Sequence, residues 1–158
     1  MDIFDEEILN LWRAFNEADF QYILVGGFAT NLNGFSRTTA DMDIWLKDTI
    51  QNRQNLRKAF VKVGLGDMEE LERMDFIPGW STIRLGSGID LDLMSYIKGF
   101  DQQSFDECYN AASTAFIYNT PVKFLHINHL MASKEACGRP KDKIDLLELE
   151  RIKTERKI

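Results

Sequence analysis

The chain has 158 residues, a formal charge of −6, 44% hydrophobic and 28% charged residues, and three prolines. That size suits one compact domain able to bury a core without disulfides or a structural metal, and the balance excludes a disordered, fibrous or membrane-embedded chain. An acidic chain does not coat nucleic acid non-specifically, because such binding rests on a basic face that releases counterions, although a local basic pocket stays open.

The acidic start Met1-Asp2-Ile3-Phe4-Asp5-Glu6-Glu7 lacks the basic opening and cleavage site of a secretory signal, so a cytoplasmic address is expected. Ile8, Leu11, Trp12 and Phe15 recur at helical spacing behind Asp2, a plausible cap, which predicts an amphipathic helix over the first sixteen or so residues. Gln21 to Val25 is a β-branched apolar run that stops at Gly26-Gly27 and reads as a buried strand ending in a sharp turn. Phe28 to Leu32 fits a short helix closed by Asn33-Gly34. Asp41 to Leu46 alternates with period two, as a strand with unlike faces does. Further along, a helix is predicted over Asn52–Val63, strands over Ser81–Leu85 and Ile89–Tyr96 around Gly86-Ser87-Gly88, and a helix over Phe105–Ala112. Short strands Phe116–Tyr118 and Val122–Leu125 around Pro121 come next, then helices over about 128–137 and 140–154. Strict βαβ alternation is missing, so the expected class is α+β, a single domain with a twisted mixed sheet flanked by helices.

Chemistry gathers on the strands. Asp41 and Asp43 leave one face of theirs, roughly 6 to 7 Å apart at their α-carbons, while Met42, Ile44 and Leu46 enter the other. Partly desolvated carboxylates so placed repel, and a divalent cation is their natural neutraliser; oxygen-only ligands point to Mg²⁺ or Mn²⁺ rather than zinc. Ile89-Asp90-Leu91-Asp92-Leu93-Met94 repeats the alternation. If the two acidic strands are neighbours, one more carboxylate bridges to the same metal or orients an attacking hydroxyl, and periodicity leaves Asp90 and Asp92 equal for that part. Gly26-Gly27, at a strand end that opens a helix, offers exposed N–H groups and close approach to phosphate oxygens.

Gly26-Gly27-Phe28-Ala29 followed by Arg37-Thr38-Thr39-Ala40-Asp41-Met42-Asp43-Ile44 resembles the GG…RxTxDxD signature of the polymerase-β-type nucleotidyltransferase superfamily. More narrowly, the chain resembles small bacterial nucleotidyltransferase-like proteins related to the toxins of type IV toxin–antitoxin systems, over about Tyr22 to Glu148. Asp92-Leu93-Met94-Ser95-Tyr96-Ile97-Lys98-Gly99 resembles that group's third-carboxylate strand, which favours Asp92 over Asp90. Lys134, Arg139-Pro140-Lys141-Asp142 and Asp145 resemble its C-terminal K…RxKD..D segment. The resemblance implies a nucleotidyltransferase fold and a two-metal transfer of a nucleoside monophosphate from an NTP donor to an acceptor hydroxyl, with release of pyrophosphate. It also implies roles: Asp41 and Asp43 bind Mg²⁺ and the NTP phosphates, and Asp92 completes one metal site and serves as base or orienter. Gly26 and Gly27 would cradle the triphosphate, Arg37 and Lys134 offset its charge, Asp142 shape the nucleotide pocket, and Thr39 belongs to the nucleotide-binding set. The acceptor is open between a small molecule, a tRNA end and a protein side chain, and a toxin would have an antitoxin partner. One departure is Phe28, which stands where many members of the wider superfamily carry a phosphate-binding Ser.

Blander readings stand beside these. Lys134 and Arg139 read equally well as cations capping a helix end, and Asp142 and Asp145 as solvated helix-face acids. His126 and His129 lack a third ligand at zinc spacing. Trp12, Trp45 and Trp80 read as core or rim aromatics, and Cys108 and Cys137, without CxxC spacing, as reduced, partly buried thiols. The functional alternatives are a non-catalytic nucleotide-binding module that retains the fold, and a protein-interaction module whose acidic strands are plain surface.

Overall fold

The computed structural model describes residues 6–36, 38–39 and 41–157. Six strands form one sheet in the order β3-β4-β2-β1-β6-β5, built from β1 (Tyr22–Val25), β2 (Asp41–Leu46), β3 (Thr82–Arg84), β4 (Asp90–Met94), β5 (Ser113–Ile117) and β6 (Thr120–Phe124). The outer pairs β3–β4 and β5–β6 are antiparallel hairpins, β1 runs antiparallel to β2, and the joins β2–β4 and β1–β6 are parallel. The sheet is therefore mixed, and with six helices the class is α+β, as the element order predicts.

The helices are α1 (Glu6–Glu17), α2 (Gly26–Leu32), α3 (Ile50–Lys62), α4 (Phe105–Ala111), α5 (Ile127–Cys137) and α6 (Pro140–Arg156). In α1 the stripe Ile8, Leu11, Trp12 and Phe15 is wholly buried, and the helix packs on α3 and β6. Each such side chain contributes about 1.5 to 3 kcal/mol by leaving water. Asp2, the expected cap, lies outside the described residues. Thr49 caps α3, its hydroxyl accepting from the Asn52 N–H at 3.1 Å. Asn52 in turn ties the helix to the residue that leads into β1, exchanging hydrogen bonds with the Gln21 backbone at 2.8 and 2.9 Å. Among the described residues no helix is long and apolar enough to cross a membrane.

Two boundaries differ from the sequence reading. α2 begins at Gly26 itself, because Gly26 takes a left-handed φ of 66° that turns the strand directly into the helix. The β5–β6 turn sits at Tyr118-Asn119 rather than at Pro121. Both turn residues have positive φ, 47° and 64°, the two-residue turn whose twist suits a hairpin. Pro121 instead stands near the start of β6, where the strand does not yet pair with β1 and the missing N–H is tolerated; its carbonyl accepts from Asn16 Nδ2 at 3.0 Å.

The core continues on both sides of the sheet. Met42, Ile44, Leu91 and Leu93 are fully buried, and Trp45 packs edge-on against Phe105 while its Nε1 donates to the Ser95 carbonyl at 3.1 Å. Trp12 and Trp45 are thus core residues, whereas Trp80 is 84% exposed. Cys108 is buried and Cys137 half-buried, both as free thiols.

Candidate active site

The parallel pairing of β2 with β4 puts Asp41 opposite Asp90 and Asp43 opposite Asp92. Since alternate residues share a face, four carboxylates leave the same side of two adjacent strands. The pairs differ in company. Asp90 is clamped by Arg84, whose Nε and Nη2 donate to its two oxygens at 2.8 and 3.1 Å, which holds the carboxyl below its ordinary range. Among the described residues Asp43 has no such partner. Burial, then the charges of Asp92 and Asp41, push its carboxyl up to about 6, against a weaker opposing pull from Lys141 and Arg139. Asp92 is raised too, mainly by burial, although the Gly79 N–H (2.8 Å) and the Thr82 hydroxyl (3.4 Å) donate to it.

Asp41, Asp43 and Asp92, but not Asp90, line a cleft of about 670 Å³. Gly26 and Gly27 form part of its wall. A Cβ on Gly26 would run into the Asp43 carboxylate, and one on Gly27 would meet the Thr39 hydroxyl at 2.5 Å. The two bare glycines therefore let the β1–α2 turn press against the acids. Thr39 itself donates to the Asp41 carbonyl at 3.3 Å, tying the approach to β2. Arg37 lies outside the described residues.

The far side of the cleft is the corner between α5 and α6, and its chemistry is cationic. Gly138 closes α5 in a left-handed conformation, its N–H donating to the Lys134 carbonyl at 3.0 Å, and Pro140 opens α6 one residue after Arg139. Lys134, Arg139 and Lys141 all line the cleft, joined by Lys98 from beyond β4. Lys134 is buried, with Nζ 2.7 Å from Asp145 and 3.9 Å from Asp142. Asp142 accepts from the backbone N–H, Nε and Nη2 of Arg139 at 3.1, 2.7 and 3.1 Å. Asp142 and Asp145 are buried and ion-paired, not solvated helix-face acids, because α6 turns them onto α5.

The sequence-predicted residues Gly26, Gly27, Thr39, Asp41, Asp43, Asp92 and Lys134 thus share one cleft, with Asp142 buried beneath Arg139. Sequence reasoning missed Gly79, whose backbone holds Asp92, and gave no role to Lys98 or Lys141. Pro78-Gly79 is visible as a turn signal, but nothing local says that the turn folds back over β4.

The donor set suits a hard divalent cation: oxygen ligands only, on carboxyls whose mutual repulsion a cation relieves. Among the described residues, no three His, Cys, Asp or Glu side chains are grouped as a ready metal cluster. Gly79 and Thr82 each take one lone pair of Asp92, which fixes the carboxylate's orientation and leaves its other lone pairs for a metal. His126 is the N-cap of α5, its Nδ1 accepting from the Asn128 N–H at 3.1 Å, and its ring lies 6.3 Å from that of His129.

No family model matches the chain, and no curated protein matches it either. Solved structures do. The antibiotic-resistance factor ANT(2'')-Ia, known in solution for substrate-regulated conformation dynamics, is similar with a TM-score of 0.57 at 17% identity, over 92% of this chain and 80% of its own. An antigenic nucleotidyltransferase-like protein from Paracoccidioides brasiliensis gives a TM-score of 0.55 at 18% identity, over 92% of this chain and 74% of its own. The fold is that of the nucleotidyltransferases.

Proposed function

We propose that this chain, on its nucleotidyltransferase fold, transfers a nucleoside monophosphate from an NTP to an acceptor hydroxyl with the help of Mg²⁺ or Mn²⁺. The observation that carries the reading is the register of β2 against β4, which sets Asp43 beside Asp92 at a cleft whose opposite wall is cationic. Asp41, Asp43 and Asp92 would hold the metal, which when bound neutralises charge on the phosphates and polarises the α-phosphate. The protein's remaining work is positioning and charge complementarity, the main protein contribution to phosphoryl transfer. Gly26 and Gly27 admit the triphosphate close to the backbone, with Thr39 beside them, while Arg37, Lys134 and the other cations offset its charge. The acceptor oxygen forms a bond to the α-phosphorus, the bond between the α-phosphorus and the bridging oxygen breaks, and pyrophosphate leaves. Asp92 receives or orients the acceptor's proton.

The acceptor is a hydroxyl compound, whether a small molecule, a tRNA end or a protein side chain. Among the described residues the cleft's carboxylates are Asp41, Asp43 and Asp92, while Lys98, Lys134, Arg139 and Lys141 also line it. An antitoxin partner belongs to this reading only where the chain acts as a toxin.

The test is thermal stability with each of the four NTPs, with and without Mg²⁺, on the parent and on Asp43→Ala. A Mg²⁺-dependent rise with an NTP, lost in Asp43→Ala, supports the site, since a ligand of the folded state raises its stability. No rise with any NTP sinks the reading. Phe28, which leaves the phosphate turn without a hydroxyl, favours a second reading, a module that binds nucleotide without transfer. That reading predicts the same rise but no pyrophosphate release with any acceptor.

A further inference from the structure

Of the cations on the α5–α6 corner, Lys134 and Arg139 are held in opposite ways. Lys134 is buried, its ammonium occupied by Asp145 and close to Asp142. Arg139 has a side chain that is 56% exposed, on a carboxylate that is 1% exposed. Asp142 takes the guanidinium side-on, through Nε and Nη2, and also takes the backbone N–H of the same residue. Three bonds to one arginine fix both its backbone and its ring-like head. The edge formed by Nη1 and the outer hydrogen of Nη2 is left over, and no described residue accepts from it. A planar fork held on one side and open on the other is a two-point receptor for an oxyanion.

The fork also stands in the right place. Arg139 lines the cleft, and its charge is felt at Asp43 on the opposite wall. The chain geometry fixes this position: Gly138 ends α5, Pro140 starts α6, and the single residue between them projects from the corner. Lys141, exposed and also lining the cleft, adds a second charge on the same side.

We propose that the open edge of Arg139 is the two-point contact for the donor's outer phosphates, with Asp142 as the positioning residue that aims it and the Lys134–Asp145 pair as the tether that holds α6 against α5. This rests on the nucleotidyltransferase reading and assigns its phosphate contact to a residue different from Lys134. A lysine at position 139 would keep the charge but lose the fork.

The experiment uses the full chain and measures binding of the four Mg²⁺–NTPs, of Mg²⁺–tripolyphosphate, and of the matching nucleoside monophosphate. The expected result for Arg139→Ala is a loss of roughly ten- to hundredfold in affinity for Mg²⁺–NTP and Mg²⁺–tripolyphosphate, with monophosphate affinity nearly unchanged. Arg139→Lys recovers part of the loss. Asp142→Asn gives a smaller loss of the same pattern, together with a raised KM and a nearly unchanged kcat where turnover is measurable. Should the parent bind Mg²⁺–NTP in an Asp43-dependent manner while Arg139→Ala binds it equally well, the proposal is overturned and the transferase reading stands. A parent that binds no NTP removes the transferase reading instead. Because Arg139 compensates the buried Asp142, the fold of each variant is checked by urea denaturation; where Arg139→Ala does not fold, Arg139→Lys decides, weaker binding of Mg²⁺–NTP and tripolyphosphate but not of monophosphate supporting the proposal and unchanged binding of all three overturning it.

Discussion

The cleft has two charged walls that treat their carboxylates in opposite ways. On the sheet, Asp43 and Asp92 sit side by side with no ion pair to a described residue, and burial makes their charge costly. On the helices, Asp142 and Asp145 are buried more deeply, yet Arg139 and Lys134 compensate them and hold Asp142 below its ordinary range despite its burial. The contrast separates site from scaffold. A balanced cluster stabilises its own geometry, whereas an unbalanced one stores free energy that an incoming cation releases.

The largest effect comes from unbalancing the balanced wall. Lys134→Met leaves Asp145 buried without its ammonium and is expected to cost about 3 to 5 kcal/mol in urea denaturation. The double variant Lys134→Met/Asp145→Leu, which removes the buried carboxylate as well, should recover part of that; equal loss in both would show that the pair matters only as packing.

Relieving the unbalanced wall should have the reverse sign. A carboxyl whose proton is held more tightly in the folded than in the unfolded chain stabilises the fold below its unfolded value. That contribution is lost as pH rises through its folded value. For Asp43, pushed up to about 6, the metal-free protein should lose about 2 to 3 kcal/mol between about pH 4 and pH 6. Asp43→Asn should flatten that slope and be more stable than the parent at neutral pH, while losing the Mg²⁺–NTP response. A parent whose unfolding is flat with pH across this range would show that Asp43 is not under strain.

Gly26→Ala tests the contact between the glycine turn and the acid. A left-handed φ costs an L-residue about 1 to 2 kcal/mol, and the new Cβ displaces the Asp43 carboxylate. A modest fall in Tm with abolished nucleotide response is expected; retained response would mean that the carboxylate has room to move. The smallest effect sharpens the choice between the β4 acids. Asp90→Asn breaks a solvent-screened pair with Arg84 and should leave both stability and Mg²⁺–NTP binding nearly unchanged, whereas Asp92→Asn should weaken that binding strongly.

Where a segment's fate is decided by its own residues, the sequence was readable. The period-two acids on β2 and β4, the stripe on α1 and the Gly138–Arg139–Pro140 break between α5 and α6 all follow from local patterns. The β5–β6 turn was misplaced because Pro121 is the louder signal, while Tyr118-Asn119 carries no glycine although both residues adopt positive φ. Asp142 and Asp145 were ambiguous for a different reason. Helical spacing tells which residues share a face, but only the packing of α6 on α5 decides that this face is closed. The hold of Gly79 on Asp92 is likewise tertiary, between residues thirteen apart on a turn and a strand.

The middle of the sheet joins distant parts of the chain. β1 pairs with β2 on one side, but its other neighbour is β6, so that Leu24 lies opposite Phe124. During synthesis, a chain that has emerged as far as Met94 already holds every carboxylate of the cleft, while β1 still has a bare edge and the cationic corner does not yet exist. Closing that edge brings α5 and α6 with it. The carboxylate wall is thus encoded before β4 ends, and the facing Lys134, Arg139 and Lys141 only after β6, so a chain cut short of α5 carries one wall of the cleft without the other.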